Sequence, residues 1–228
     1  MISGPSGTGK GAICDSLKTE VNAVLSVSMT TRPPRAGEIH GESYFFVSKE
    51  RFRETLGEGG LLEYTEVFGE YYGTPRAPVI EHLEKGRDVI LEIEVNGAMQ
   101  VRESMPGTVL VFILPPSRDE LKRRIEGRGT ETEDSIAHRL KRAESEIEQI
   151  GNYDYYVVND KLGQAVLDVA DIVRAERLLS ADILPQSTAP EDMAAIRRAA
   201  ELRVGAGAAG IIESYREGSL AEHAGVER

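Results

Sequence analysis

The sequence has 228 residues, which is enough for one substantial domain or two small ones. Hydrophobic residues make up 40% of it and charged residues 29%, a composition that is typical of a globular protein and argues against a disordered or membrane-spanning chain. The net charge of −11 argues against non-specific nucleic-acid binding, so a polyanionic ligand would have to meet a local basic pocket.

The predicted elements begin with a glycine-rich turn that ends in a lysine. Residues 4–10, GPSGTGK, match the pattern G-x-x-x-x-G-K, in which backbone N–H groups and a helix N-terminus surround phosphates while the lysine neutralises their charge. An apolar residue before the turn and a helical pattern after it favour this interpretation over a surface turn. The predicted phosphate contacts are Gly4, Pro5, Ser6, Gly7, Thr8, Gly9, Lys10 and Gly11.

The residues that follow this lysine depart from the usual pattern. A serine or threonine normally stands there and its hydroxyl contacts Mg²⁺, whereas this sequence has Gly11 and Ala12. A bound Mg²⁺ would therefore need more water ligands or a carboxylate from another part of the chain.

The first helix also contains the only cysteine, Cys14. A single cysteine excludes an intrachain disulfide and a zinc site built on thiolates. No apolar stretch approaches the ~20 residues of a membrane span, and the N-terminus does not look like a signal peptide. We therefore predict a cytoplasmic protein with no membrane partner.

Strands and helices are predicted to alternate along the first 180 residues. Apolar runs bounded by turn residues predict the strands, and stretches with helical spacing predict the helices. The continuous apolar run in TVLVFIL is typical of a strand buried on both faces of a parallel sheet. The predicted strands are 24–28, 43–47, 61–68, 88–95, 108–114 and 153–158, and the predicted helices lie near 11–20, 49–57, 78–85, 97–104, 117–126, 131–149 and 160–180.

A basic cluster follows the first predicted strand. Arg32 and Arg35 lie three residues apart, and Tyr44 comes nine residues later. Two guanidinium groups and a phenol can bind a dianionic phosphate through charge-assisted hydrogen bonds. A solvated basic turn explains these residues equally well when they are taken alone.

Two acidic residues interrupt the apolar strand pattern in DVILEIEV. Glu92 and Glu94 are two apart, so a strand would place both on one face. Burial of two acids costs several kcal/mol unless they are paired or bound to a metal. An edge strand that leaves them in water is the alternative.

Several motifs in this order resemble the guanylate kinase family. After the glycine loop come SVSMTTRPPRAGEIHGESYFF at 26–46, LLEYTEVFGEYYGTP at 61–75, LEIEVNGA at 91–98, LKRRIEGRGTETEDSIAHRL at 121–140 and VVND at 157–160. The resemblance covers residues 1 to about 180. It implies an enzyme that transfers the γ-phosphoryl group of ATP to GMP, giving ADP and GDP, with Mg²⁺ as cofactor.

The same resemblance implies the residues that bind GMP. Those around the phosphate would be Arg32, Arg35, Tyr44 and Tyr72. Those around the guanine would be Glu63 at N1–H and the 2-amino group, Ser28 and Thr74 at O6, and Glu94 at the 2-amino end. Adenine has no 2-amino group and has an acceptor at N1, so a buried Glu63 carboxylate would be left unpaired by it.

On the donor side, the resemblance implies a catalytic set of Lys10, Arg124, Arg128 and Arg139. Lys10 would follow the transferred group, and the three arginines would lie on a mobile lid, although a charged helix face is more often simply solvated. Asn159 would contact the adenine of ATP, and Glu92 would support Mg²⁺ directly or through water. No general base is needed, because the GMP phosphate is already an anionic nucleophile.

The predicted fold class is α/β: a P-loop parallel sheet with helices on both faces, a small mixed α/β GMP-binding insertion and a mobile helical lid. The predicted domains are 1–184, with the insertion at about 28–78 and the lid at about 117–142, and a C-terminal appendage at 185–228 that is partly helical or disordered. In the appendage, GAGAAG at 205–210 matches the dinucleotide pattern G-x-G-x-x-G, but an Ala/Gly linker is the better interpretation, because too few residues follow for a second strand.

Two other functions stay open at this point. A non-catalytic guanylate-kinase-like module that binds a protein is the main alternative, although such modules typically lose the loop lysine and the lid arginines that this chain keeps. A kinase of similar architecture for another phosphorylated metabolite is the third, and the guanine-reading set argues against it. The sequence leaves the oligomeric state open.

Overall fold

The computed structural model describes residues 1–127, 133–180, 189–218 and 220. The chain divides into two compact units. The first unit comprises Met1 and Asn22–Thr108, and the second comprises Ile2–Val21 and Val109–Arg228.

The elements are numbered in chain order. The strands are β1 (Ile2–Ser3), β2 (Val24–Leu25), β3 (Met29–Thr30), β4 (Phe45–Phe46), β5 (Leu61–Val67), β6 (Glu70–Pro75), β7 (Val89–Ile90), β8 (Val111–Leu114) and β9 (Tyr155–Val158). The helices are α1 (Lys10–Glu20), α2 (Lys49–Gly57), α3 (Arg76–Glu84), α4 (Val95–Ser104), α5 (Arg118–Glu126), α6 (Glu133–Ile147), α7 (Leu162–Ser180), α8 (Pro190–Glu201) and α9 (Ala208–Glu217). In the described ranges, no helix has both the length and the apolarity of a membrane span.

The first unit contains two sheets. Strands β2 and β7 pair in parallel, and β4, β3, β6 and β5 form a mixed sheet in that order. A cluster of buried apolar side chains lies between β5 and the helices α3 and α4, and its members are Leu62, Val79, Leu91, Ile93 and Val101. This core packs against the start of β5, which carries Glu63, and against the segment before α4, which leads to Glu94.

The second unit is built on a parallel sheet in the order β1, β8, β9. Every residue of β8 and β9 is buried, as the apolar run in TVLVFIL predicted for a strand covered on both faces. Strand β1 leads directly into the glycine loop and α1. The predicted α/β class with a parallel sheet is confirmed.

The C-terminal helices pack on this second unit. Arg198 of α8 donates from Nε and Nη2 to the two carboxylate oxygens of the buried Asp168 of α7, at 2.9 and 3.0 Å. The Tyr156 N–H of β9 donates to the Leu202 carbonyl, 2.9 Å away. The predicted boundary between residues 184 and 185 lies outside the described residues.

Three predictions about local structure were wrong. The strand predicted at 88–95 ends at Ile90, because residue 94 caps the helix that begins at Val95. Strand β6 was missed, because Gly73 and Pro75 are poor strand formers and the segment is held by pairing with β3 and β5. The linker predicted at 205–210 is a 3₁₀ turn followed by α9 from Ala208, a residue with high helix propensity.

Candidate functional site

The glycine loop runs from β1 to α1 in the second unit, and its conformation requires glycine. Gly4 and Gly9 have φ angles of 133° and 87°, which side chains rarely adopt. A Cβ at Gly4 would lie 2.3 Å from the Ile113 carbonyl oxygen, and one at Gly9 would lie 2.4 Å from Nδ2 of Asn159. The chain therefore approaches β8 and the end of β9 more closely than any side chain would allow.

Lys10 lies against the inside of this loop. Its Nζ donates to the carbonyl oxygens of Gly4 and Pro5 at 2.6 and 2.8 Å, and the Thr8 hydroxyl donates to the same Pro5 oxygen at 2.9 Å. The first turn of α1 contains no acidic residue, and among the described side chains none caps it through a hydrogen bond. The positive end of the helix and an ammonium group thus meet where an anion would bind.

Gly11 and Ala12 lie in the first turn of α1, as the sequence placed them after the lysine. Neither has a hydroxyl to offer a metal ion. The shape of the loop does not depend on such a hydroxyl, because glycines at positive φ and the contacts of Lys10 form it.

Asn159 and Arg124 form a second layer behind the loop. Asn159 is buried at the end of β9, and its Nδ2 donates to the Thr8 carbonyl oxygen at 2.7 Å. Arg124 of α5 donates from Nη2 to the Asn159 carbonyl at 2.9 Å and from Nε to Glu120 at 2.7 Å. In this structure Asn159 supports the loop, and its contact with adenine stays a prediction.

Arg139 of α6 also reaches the loop. Its Nη2 donates to the Ser6 hydroxyl at 2.7 Å, across 133 residues of sequence. Two of the three predicted lid arginines, Arg124 and Arg139, therefore lie on the glycine loop or on the residue that supports it. The third, Arg128, lies outside the described residues.

Glu63 is a buried acid on β5 in the first unit, with 6% of its surface exposed. The Thr74 hydroxyl of β6 donates to its Oε1 at 2.6 Å. Burial raises the pKa of Glu63 to about 7, the Thr74 hydrogen bond opposes this shift, and the charge of Glu94 adds to it. A buried carboxylate with one hydroxyl partner has acceptor capacity left for a ligand.

Glu94 is not the second acid of a buried strand, as the pattern suggested. It is the N-cap of α4, where Oε1 accepts the Gly97 N–H at 2.7 Å and Oε2 accepts the Asn96 N–H at 3.0 Å. Glu92 is exposed to solvent. The regular strand ends at Ile90, and the chain has turned into the start of α4 by the time it reaches Glu94.

Arg32 is held in place by a partner that the sequence analysis missed. Glu38 accepts from both Nη atoms of Arg32 at 2.7 Å, and the Arg32 guanidinium lies 5.2 Å from the Tyr44 ring centroid. Arg32 and the Arg35 N–H lower the pKa of Glu38 to about 2. The signal was the acid in RPPRAGE, three residues after Arg35, where a turn returns the chain.

The remaining predicted GMP contacts in this unit are Tyr72 and Arg35 at the phosphate and Ser28 at O6. The ring of Tyr72 meets that of Tyr44 edge to face, with centroids 6.2 Å apart. The side chain of Arg35 is exposed, while its N–H donates to Glu38 at 2.7 Å. Ser28 is half-buried, and its carbonyl accepts the Phe45 N–H at 2.8 Å.

Glu92 is the residue of the first unit that was predicted to support a metal. Burial raises the pKa of the Tyr44 hydroxyl, and the negative charge of Glu92 contributes to that shift. Within the described residues, no group of three His, Cys, Asp or Glu side chains could hold a metal ion. A single exposed carboxylate fits a Mg²⁺ ion that arrives with a nucleotide, because Mg²⁺ is usually bound by one or two carboxylates, water and phosphates.

Comparison with known proteins agrees with the resemblance. A family profile described as guanylate kinase matches residues 1–176. The guanylate kinase of Clostridium tetani is 54% identical over 177 residues, which are 78% of this chain and 85% of that protein. The guanylate kinase of Clostridioides difficile is 49% identical over 178 residues, 78% of this chain and 87% of that protein.

A solved structure extends the likeness to the fold. The crystal structure of guanylate kinase from Anaplasma phagocytophilum matches with a TM-score of 0.62 and 36% identity, covering 78% of this chain and 84% of that one. The profile spans most of both units, including the glycine loop and the Glu63 region. The chain therefore belongs to the guanylate kinase family.

Proposed function

We propose that this protein transfers the γ-phosphoryl group of ATP to GMP. The bond between the γ-phosphorus and the bridging oxygen of ADP breaks, and a phosphate oxygen of GMP forms the new bond, giving ADP and GDP. The observation that carries the choice of acceptor is the buried Glu63 carboxylate with Thr74 on one oxygen. The relatives named as guanylate kinases favour an enzyme over a non-catalytic interaction module.

Guanine fits a carboxylate at Glu63 and adenine does not. Guanine presents N1–H and a 2-amino group, both of which donate hydrogen bonds, so they stabilise the charged form of Glu63. Adenine would place a lone pair against the carboxylate and leave it unpaired in a buried position, which costs about 1–3 kcal/mol or more. The Ser28 hydroxyl would donate to O6, and the Thr74 hydroxyl, which has one proton, would turn from Glu63 to donate to O6 once guanine donates to the carboxylate. Glu94 would support the 2-amino end.

The acceptor phosphate would bind at Arg32. Glu38 and the Tyr44 ring already hold this guanidinium in one orientation, so little side-chain entropy is lost when a phosphate arrives. Arg35, Tyr44 and Tyr72 would complete the phosphate contacts. Because the acceptor oxygen is anionic, it needs no base to remove a proton.

The donor would bind at the glycine loop. Residues Gly4 to Gly11 supply backbone N–H groups, and Lys10 would leave the loop carbonyls to neutralise the charge of the transferred group. Arg124, Arg128 and Arg139 would neutralise the remaining phosphate charge, which is the main catalytic task in phosphoryl transfer. Mg²⁺ bound with ATP would supply further charge neutralisation, and Glu92 would hold it directly or through water.

The test is an assay of ADP release with ATP and four conditions: GMP, AMP, UMP and no acceptor. We expect release with GMP to be far faster than release with AMP, with UMP or without an acceptor. Release without an acceptor would indicate a nucleotide hydrolase, and equal release with AMP or UMP would indicate another kinase. Binding of GMP without release of ADP would favour the non-catalytic interaction module. The cytoplasmic location and the absence of nucleic-acid and membrane partners stay predictions from the sequence.

A further inference from the structure

Gly97 stands in the first turn of α4, where a glycine is not the residue that a helix prefers. Its φ does not lie in the left-handed region, so backbone conformation does not require glycine. In a helix, glycine is less favourable than alanine by about 1 kcal/mol. Its presence therefore calls for a reason in its surroundings.

The surroundings leave no room for a side chain. An ideal Cβ on Gly97 would lie 2.7 Å from Oε2 of Glu63 and 2.5 Å from Cγ2 of Ile93. Ordinary contacts of a Cβ lie at 3.4–4 Å. The Glu63 side chain cannot move away freely, because it is buried and its Oε1 accepts a hydrogen bond from the Thr74 hydroxyl at 2.6 Å.

The backbone of Gly97 holds the second acid at the same time. Its N–H donates to Oε1 of Glu94 at 2.7 Å. One residue thus fixes Glu94 through its amide and makes room for Glu63 by lacking a Cβ. The negative charge of Glu94 raises the pKa of Glu63, because the two carboxylates repel each other. Gly97 contacts both of them and so limits how far apart they can move.

We propose that Gly97 is a specificity-determining positioning residue, which sets the two carboxylates Glu63 and Glu94 at the spacing that reads the N1–H and 2-amino edge of guanine. The inference rests on the proposed function for the identity of the base. It does not depend on catalysis, because it concerns the binding of GMP alone.

The test is Gly97→Ala with Gly57→Ala as matched control. Gly57 ends α2 in the same unit and has no atom within 4 Å of an added Cβ. We expect Gly97→Ala to raise the calorimetric Kd and the KM for GMP at least tenfold, with kcat and the KM for ATP within twofold. The preference for GMP over IMP, which lacks the 2-amino group, should fall, and Gly57→Ala should change none of these quantities. A lower kcat with unchanged GMP affinity would overturn the proposal, because it would indicate only a loss of folded protein.

A second pair of variants separates the acid from the neighbouring isoleucine. Ile93→Ala removes the methyl group that also opposes a Cβ, so Gly97→Ala/Ile93→Ala retains only the conflict with Glu63. We expect the double variant to bind GMP at least tenfold more weakly than Ile93→Ala. Equal affinities would overturn the proposal, and so would failure of both Gly97→Ala variants to fold, since glycine would then be required by the packing of α4.

The outcome is distinguishable from failure of the proposed function. If the unaltered protein binds GMP but releases no ADP, the kinase assignment fails while the effect of Gly97→Ala on the Kd still tests the inference. If the protein turns over GMP and the variant binds it normally, only the inference fails.

Discussion

The glycine loop and the Glu63 region present different parts of the chain to the ligands proposed for them. In the loop, the backbone is shaped by glycines at positive φ, and the side chain of Lys10 donates to backbone carbonyls. Around Glu63, the ligand-facing groups belong to side chains, and the Thr74 hydroxyl donates a hydrogen bond to the buried carboxylate. The first arrangement presents positive charge, and the second presents a pattern of acceptors.

Because of this difference, we expect the loop to provide affinity for phosphates and the Glu63 region to provide selectivity for the base. Backbone N–H groups and an ammonium group bind any chain of phosphates, whatever base is attached. That explains why the loop keeps its shape although Gly11 and Ala12 replace the usual hydroxyl. A buried side-chain acceptor rejects ligands that leave it unpaired, so selectivity in this protein should depend on Glu63 and its neighbours.

The largest effect should follow the loss of the loop ammonium. We expect Lys10→Ala to lower kcat by about 10³-fold with every acceptor tested, since it removes the charge that follows the transferred group. Lys18→Ala is the matched control, because Lys18 is an exposed lysine at the other end of α1 that pairs with Asp15. A variant with kcat within tenfold of the unaltered protein would show that the backbone alone carries the donor site.

The next effect concerns the base. We expect Glu63→Gln to lower kcat/KM for GMP by roughly 10²-fold, because the amide presents a donor to the donors of guanine. Turnover of AMP should not fall in parallel, so the preference for GMP over AMP should decrease. Glu66→Gln, an exposed position on the same strand, is the control. If kcat/KM fell equally for GMP and for AMP, Glu63 would have only a structural role. The Glu63 region would then not determine base selectivity.

The parts that the sequence predicted well are those specified locally. The pattern in GPSGTGK requires glycines at fixed positions, and the loop has that geometry. Helices such as α2 and α7 lie within two residues of their predicted bounds, because apolar periodicity and caps are read from neighbouring residues. The buried parallel strand β8 was predicted from six consecutive apolar residues, 109–114.

The parts that were missed depend on contacts between distant segments or on competition between two elements. Strand β6 is stabilised by pairing with β3 and β5. Its own sequence does not have the apolar pattern that predicts a strand. Glu94 fits a strand pattern equally well, but a helix N-terminus uses the carboxylate as a cap. The role of Gly97 could not be seen at all, because it depends on where Glu63 comes to lie.

A smaller effect should follow the loss of the partner of Arg32. We expect Glu38→Gln to raise the KM for GMP by ten- to thirtyfold and to leave kcat within about twofold, because the guanidinium loses its fixed orientation and not its charge. Glu42→Gln, an exposed acid in the same loop, is the control. A lower KM for GMP in Glu38→Gln would contradict this prediction. It would mean that Glu38 competes with the phosphate for Arg32 and does not orient Arg32 for it.

The smallest effect is a pH dependence that only the Glu63 region should show. The pKa of Glu63 in the free protein is about 7, raised by burial from an ordinary 4.5. Only the carboxylate form accepts both guanine donors, so the ionised fraction rises up to about tenfold between pH 6 and pH 8. We expect kcat/KM for GMP to rise accordingly in the unaltered protein, relative to Glu63→Gln. Dividing the two profiles removes the titration of the substrate phosphate, which both share.

The same pKa makes an opposite prediction for stability. Because the folded-state pKa is raised, protonated Glu63 favours the folded state at low pH, and this contribution is lost as pH rises from about 4.5 through about 7. Glu63→Gln has no such loss, so without ligand it should be more stable than the unaltered protein at pH 8, by up to about 3 kcal/mol. The two should converge near pH 5, as measured by thermal unfolding. GMP should reverse the order at pH 8, since it stabilises only the protein that binds it. Unfolding midpoints that run parallel across this range would mean that Glu63 is solvated, and base selection would then need another source.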